Sequence, residues 1–375
     1  MKNPSRSTLL SLSLALFASV AAINSVRYAE ACTCITLEAG DGAVVVGRTM
    51  EWAAFDVESR VVVIPRDCEF TSELEGGRSG VSWKTAHGVV GFDYLDRENL
   101  IDGMNEQGLV VNGLYHPGYA SYPDLDPAKA GSSIEVTDVP LYLLATCAST
   151  KEARDAINAV TVVASPMKAL GGIQPPLHLL VTEPSGKAIV VEFLDEKIRI
   201  FDAPLGVLTN APTYDWHMTN LRNYLGFSAE ARPAIKVRGQ ELAPLGHGSG
   251  AIGLPGDMTP PSRFVRAAAF SASARPTKTG RETMYEAFRI LDNFNVAADA
   301  VTAGKPGDDG SDLRSGTQWT VAYDTRNRTI QFHTMNNRRI RQVDLKDIDF
   351  TSGKCYRRRP MDVTPEEDVK KLPGF

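Results

Sequence analysis

Apolar runs of strand length and runs of helical period follow one another in blocks along this chain, and that order excludes the regular βαβ alternation of a doubly wound parallel sheet. Residues 35–37 and 44–49 flank Glu38-Ala39-Gly40-Asp41-Gly42, a Gly/Asp turn, and read as a hairpin. Strand-like runs follow at 60–65, 89–94 and 109–114, the last entered through Asn105-Glu106-Gln107-Gly108. Residues 139–160 place apolar side chains at helical spacing. A second hairpin, 177–182 and 188–193, turns on Glu183-Pro184-Ser185-Gly186-Lys187, and 198–201 and 206–209 extend it. Helical patterns return at 214–225, 262–274 and 281–291, and strands close the chain at 318–323, 329–333 and 339–343. Two antiparallel sheets sandwiched between helices accommodate this order, an α+β architecture. Residues 348–375 are polar and punctuated by proline, and read as a C-terminal extension outside the core.

The first thirty-one residues are of another kind. Lys2 and Arg6 precede an apolar stretch at 9–23, and Ala29-Glu30-Ala31 supplies a small-x-small cleavage pattern, so residues 1–31 read as a signal peptide. The apolar stretch is shorter than the ~20 residues of a bilayer span, and no later segment is apolar enough to cross a membrane. The expectation is an exported chain, periplasmic or secreted, with no membrane span after signal removal. A net charge of −5 and one short basic cluster, Arg357-Arg358-Arg359, argue against a nucleic-acid partner.

Cleavage after Ala31 would leave Cys32 as the first residue. A thiol attacks as thiolate and has an ordinary pKa near ~8.5, whereas a free α-amine, with a pKa of about 7.7–8.0, is a base near neutral pH. One residue would then carry both nucleophile and base. On local sequence alone two other readings stay open: a cysteine that merely follows the cut, and lipidation, although Ala29 and Glu30 do not match the apolar-small lipoprotein pattern.

The five cysteines, Cys32, Cys34, Cys68, Cys147 and Cys355, leave at least one thiol unpaired in an exported protein, and their pairing is open. Cys32-Thr33-Cys34 lacks the second ligand pair of a zinc site, and the six histidines are scattered singly, so each reads as structural. Neither G-x-S-x-G nor HExxH occurs.

Five stretches in order carry a resemblance that spans nearly the whole chain after residue 31. They are Cys32-Thr33, Gly47-Arg48-Thr49-Met50-Glu51-Trp52, Asp102-Gly103-Met104-Asn105-Glu106-Gln107-Gly108-Leu109, Leu208-Thr209-Asn210-Ala211-Pro212, and Leu254-Pro255-Gly256-Asp257 leading to Ser262-Arg263-Phe264. The chain resembles the choloylglycine hydrolase and penicillin V acylase family of N-terminal-nucleophile cysteine hydrolases. The resemblance implies a four-layer αββα sandwich over 32–347, hydrolysis of a linear amide through a thioester on Cys32, and no cofactor or metal. It implies catalytic roles for Cys32, Arg48, Glu51, Asn210 and Arg263, with the Asn210 side chain and the Tyr115 backbone N–H as oxyanion donors. Glu51 departs from the family, which commonly has Asp there. Tyr115 stands where penicillin V acylases tend to have Tyr, while Pro117-Gly118-Tyr119-Ala120 looks like the bile-salt enzymes. A homotetramer is implied through the segment around 220–226. The alternatives are an acylase for N-acyl-homoserine lactones or other N-acyl amides, and a binding protein that has kept the fold and lost the chemistry.

Overall fold

The computed structural model describes residues 32–52, 57–297, 316–351 and 353–362. The signal peptide expected at 1–31 lies outside these residues, as does 363–375. Two antiparallel sheets dominate the described chain. The smaller runs Thr33–Glu38, Val44–Trp52, Gly316–Asp324, Thr329–Thr334, Arg341–Asp344. The larger runs Lys197–Asp202, Ala188–Leu194, Leu177–Thr182, Val110–Tyr115, Asp102–Asn105, Val89–Phe92, Arg60–Ile64, Arg357–Pro360. Each pair of neighbours in it is antiparallel.

The inner faces meet through aromatic contacts. Phe92 of the larger sheet stacks on Trp319 of the smaller at 5.0 Å and meets Phe332 edge-on at 5.5 Å. Helices Pro260–Ala272 and Gly280–Leu291 cover the outer face of the smaller sheet, and Val139–Thr146 and Thr150–Asn158 lie on the larger one. These are the four layers expected. Side-chain alternation along Val44–Trp52, buried throughout, sets what each face holds. Gly47 meets the helical layer so closely that a Cβ would sit 2.8 Å from Leu291 Cδ1. Arg48 and Met50, of the opposite parity to Gly47, turn to the other sheet; Glu51, of the same parity, turns away from it.

Several elements differ from the sequence reading. The helical stretch at 139–160 is two helices, because Ser149 caps the second by accepting from Glu152 N–H. The run at 206–209 does not extend the 177–193 hairpin. It bridges the first strand instead, with Cys34 N–H donating to Leu208 O at 2.7 Å. The hairpin Glu69–Leu74 with Arg78–Lys84 and the strand Asp102–Asn105 went unread, being too polar to show an apolar period.

The segment from 348 onward is not wholly outside the core. Phe350 is buried so tightly against Gly88 that a Cβ there would lie 2.2 Å from its ring. Residues 357–360 pair antiparallel with 60–63, and Arg358 reaches Asp93 at 3.2 Å, so a cation of the basic cluster lies on an acidic partner. A disulfide joins Cys68 to Cys355 beside this strand, across 287 positions of sequence. Cross-links of this kind typically stabilise by ~2–4 kcal/mol. Reduction, or C68A/C355A, is therefore expected to lower Tm by several degrees, with the reduced wild type melting like the double variant. Equal melting of oxidised and reduced protein would show that the bond contributes nothing.

Candidate active site

The bridge between Cys34 and Leu208 builds the site. Continued by two residues in antiparallel register, it brings Asn210 opposite Cys32. Cys32 itself is 3% exposed and sits at the wall of a cleft. Arg48, Met50, Trp52, Tyr94, Ile101, Tyr115, Met167, Leu170 and Leu177 line the same cleft, so its surface is largely apolar and aromatic. Trp52 and Tyr115 meet edge to face at 5.2 Å.

Two buried guanidinium groups bracket Cys32. Arg48 Nη2 lies 3.3 Å from the thiol sulfur and also donates to Gly113 O at 3.2 Å, while Nη1 donates to Asp102 Oδ2 at 2.7 Å. Its guanidinium carbon sits 4.9 Å from the centre of the Trp319 ring. Asp102 Oδ1 in turn accepts from Asn112 Nδ2 at 2.6 Å and from the Tyr323 hydroxyl. Burial works against the charge on Arg48, but Asp102 and the neighbouring thiols Cys32 and Cys34 outweigh it, and the guanidinium stays charged. Burial likewise lifts the Asp102 carboxyl, opposed by Arg48 and by the Tyr323 and Asn112 hydrogen bonds. In the sequence Asp102 stands out only as the first residue of the Asp102–Leu109 stretch. The fact that an arginine buried in a strand demands a buried anion is the signal that could have singled it out.

Arg263, on the helix Pro260–Ala272, spans the other side. Nη1 donates to Cys32 O and to Thr33 Oγ1 (2.8 Å), Nη2 to Asn210 Oδ1 at 2.7 Å, and Nε to Met258 O at 2.9 Å. With its oxygen held, Asn210 presents its Nδ2 hydrogens, one of which reaches Tyr115 O at 2.7 Å. His116 N–H donates across to Pro176 O. Strand alternation then turns the backbone groups of Tyr115 away from the Leu177 strand, to the side where Asn210 stands.

Five of the six residues singled out in the sequence thus fall into one connected arrangement. Glu51 takes part differently. Its carbonyl lies 3.9 Å from the Cys32 sulfur, while its side chain accepts from Thr317 Oγ1 at 2.7 Å, next to a register shift in the facing strand. Its Oε2 has no hydrogen-bond partner among the described residues. Burial pushes the Glu51 carboxyl up to about 7, against the pull of Arg263 and hydrogen bonds from Thr317 and Thr49.

Behind Asn210 lies a buried group read as unrelated single histidines. His116 and His178 stack at 4.2 Å and 9°. Glu192 Oε1 lies 3.4 Å from His178 Nδ1 and accepts from Tyr214 N–H at 2.9 Å. His116, His178 and Glu192 bring potential ligand atoms within 4.8 Å of one another. Nearly parallel stacked rings direct their in-plane lone pairs along separate planes, and the Nε2 atoms already face Pro212 O and Thr209 O. The geometry suits hydrogen bonding better than metal ligation. Burial holds both rings neutral, down to about 3, and pushes Glu192 up to about 7.

Residues 32–357 match the family model described as linear amide C–N hydrolases, choloylglycine hydrolase family. A bile salt hydrolase/transferase from Clostridium perfringens is 32% identical over 328 residues, 87% of this chain and 96% of that protein. Among solved structures, a mutant of the conjugated bile acid hydrolase from Clostridium perfringens superposes with TM-score 0.77 at 28% identity, covering 91% of this chain and all of that one. The penicillin V acylase from Agrobacterium tumefaciens superposes with TM-score 0.69 at 24% identity over 85% of this chain and 88% of its own.

The raised Glu192 carboxyl has a consequence for stability. Between its ordinary value of 4.5 and its folded value of about 7, the folded chain keeps a proton that the unfolded chain has released. That contribution is full below the lower value and is lost as pH rises through the upper. Glu192→Gln is neutral at every pH, so its Tm is expected to gain on the wild type steadily from about pH 5 to about pH 8. A difference independent of pH would contradict a shifted Glu192.

Proposed function

The chain belongs to the choloylglycine hydrolase family of linear amide C–N hydrolases, and from that premise we propose that it is exported and cleaves its amide through a thioester on Cys32. The observation that carries this reading is the Arg48 guanidinium 3.3 Å from the Cys32 sulfur, held charged by Asp102. A fixed cation at that distance favours the thiolate directly.

Removal of residues 1–31 frees the α-amine of Cys32. The amine takes the thiol proton and the sulfur attacks the amide carbon. The carbonyl oxygen becomes an oxyanion, for which the second Asn210 Nδ2 hydrogen and the Tyr115 N–H are the donors. Neutral amides fixed before the reaction lower the barrier without reorganising. The ammonium then protonates the leaving nitrogen as the C–N bond breaks. Water, deprotonated by the same amine, hydrolyses the thioester and restores the thiol. Glu51 is buried close by with an Oε2 open to a donor, and is the acceptor for the new ammonium. The extra methylene relative to Asp is compatible with that task, because Thr317 fixes the other oxygen.

The lining of the cleft favours an apolar acyl group. Trp52 and Tyr115, paired at its wall, favour a flat aromatic acyl group such as the phenoxyacetyl group of penicillin V. Conjugated bile salts are the second reading, favoured by the 32% identity to the bile salt hydrolase/transferase. Export ends in the periplasm or outside the cell. Assembly as a homotetramer belongs to this proposal too.

The test compares turnover of penicillin V with that of glycine- and taurine-conjugated bile salts by the chain beginning at Cys32. Hydrolysis of penicillin V in preference is expected; preference for the conjugates would transfer specificity to the second reading. Cys32→Ser is expected to fold with an unchanged circular dichroism spectrum and to lose most turnover. A serine variant with near-wild-type kcat would remove Cys32 from the chemistry.

A further inference from the structure

Three buried imidazoles converge on the backbone that carries Asn210. His178 Nε2 lies 2.9 Å from Thr209 O, His217 Nε2 lies 3.0 Å from Asn210 O, and His116 Nε2 lies 3.3 Å from Pro212 O. A carbonyl can only accept, so each ring is the tautomer protonated at Nε2. The rings come from separate elements: His178 from the strand Leu177–Thr182, His217 from the helix Tyr214–Leu221, and His116 from just after Val110–Tyr115. His217 is 1% exposed, and its ring stacks on Phe264 at 4.6 Å and 12°. Phe264 is the residue after Arg263, which holds the Asn210 side chain. The main chain and the side chain of Asn210 are therefore fixed from one corner of the fold. None of the three histidines lines the cleft.

We propose that His217 is a positioning residue for the oxyanion site, its Nε2–H holding the Asn210 carbonyl so that the Asn210 amide stays aimed where the tetrahedral oxygen forms. The inference rests on the reading of Asn210 as an oxyanion donor. A buried carbonyl left without a donor would draw the backbone toward another partner, and displacement of about 1 Å at a catalytic group can cost on the order of 10²-fold in rate. His178 and His116 fix the neighbouring carbonyls, so loss of His217 alone moves the amide only in part. Burial, which pushes the His217 ring down to about 4, keeps it neutral and in one tautomer through the neutral range.

The experiment is a double-mutant cycle between His217 and Asn210, read as kcat and KM on whichever of penicillin V and the conjugated bile salts the wild type turns over fastest. His217→Ala is expected to lower kcat roughly tenfold while KM moves less than about twofold, since only the transition state loses a contact. His217→Gln, whose amide nitrogen falls near the position of Nε2, is expected to recover most of that loss. Asn210→Ala alone is expected to cost on the order of 10²–10³ in kcat. If His217 acts through Asn210, His217→Ala adds nothing further in the Asn210→Ala background. Should the alanine variant not fold, His217→Phe keeps the stack on Phe264 and removes only the donor, with the same tenfold loss expected. Wild-type kcat in the folded alanine or phenylalanine variant, a change in KM alone, or an additive double variant would overturn the positioning role. Wild-type kcat in Asn210→Ala, or no amide turnover by the wild type, would instead overturn the oxyanion reading on which it rests.

Discussion

The ion pair between Arg48 and Asp102 ties the smaller sheet to the larger across the buried interior, with neither side chain exposed to solvent. Such a pair stands only if desolvation is offset by close geometry and by partners for the remaining donors and acceptors. Here most of the partners are supplied, with Arg48 Nε alone of its guanidinium nitrogens lacking one among the described residues. Asn112 and Tyr323 donate to the carboxylate, Gly113 O and the Cys32 sulfur take the second guanidinium nitrogen, and Trp319 gives the cation a π face. The arrangement fixes a positive charge beside the thiol without mobile solvent between them. Removal of either partner would strand the other, at a cost of about 3–5 kcal/mol in systems of this kind.

Arg263 ties the helix Pro260–Ala272 to the site as Arg48 ties the two sheets. It joins Cys32 O and Thr33 to Asn210, distant from them in sequence, through one planar fork. The thiol thus has a cation on the cleft side and a second cation behind its own carbonyl. Glu51, on the opposite face of the strand that carries Arg48, completes the surroundings with a carboxyl held near neutrality by burial. Rigidity of the site follows from its placement on paired strands and a packed helix. The Asn210 corner is irregular backbone, and the histidine cluster braces it.

Much of this was legible in the sequence. The apolar run from Val44 reflects a strand buried on both faces and the period of Gly280–Leu291 a helix with one buried face, and both elements begin within a residue of where the sequence places them. The readings stopped short wherever polar residues are buried. Arg48 to Trp52 continues a strand because the opposite sheet supplies Asp102, and Asp-Gly-Met-Asn at 102–105 is a strand because its neighbours complete it. Such partners are distant in sequence and leave no period. Cys32, Arg48, Asn210, Arg263 and Tyr115 could be picked out through resemblance, since no local rule places a strand edge at Leu208 against Cys34. His116, His178 and His217 looked like unrelated single residues for the same reason, and Glu192 carried no signal at all. The basic cluster misled through its charge: Arg358 is a counter-ion to Asp93 and Asp96, and 357–360 form a strand of the larger sheet.

Intact-mass spectrometry of the protein, acid-quenched during turnover of its amide substrate, addresses the chemistry most directly. The account predicts a chain beginning at Cys32 that carries the acyl group of the substrate as a labile adduct, released by hydroxylamine and mapped to the N-terminal peptide. Turnover with an acyl group on another residue, or undiminished turnover by a chain whose Cys32 amine remains in peptide linkage, would contradict it.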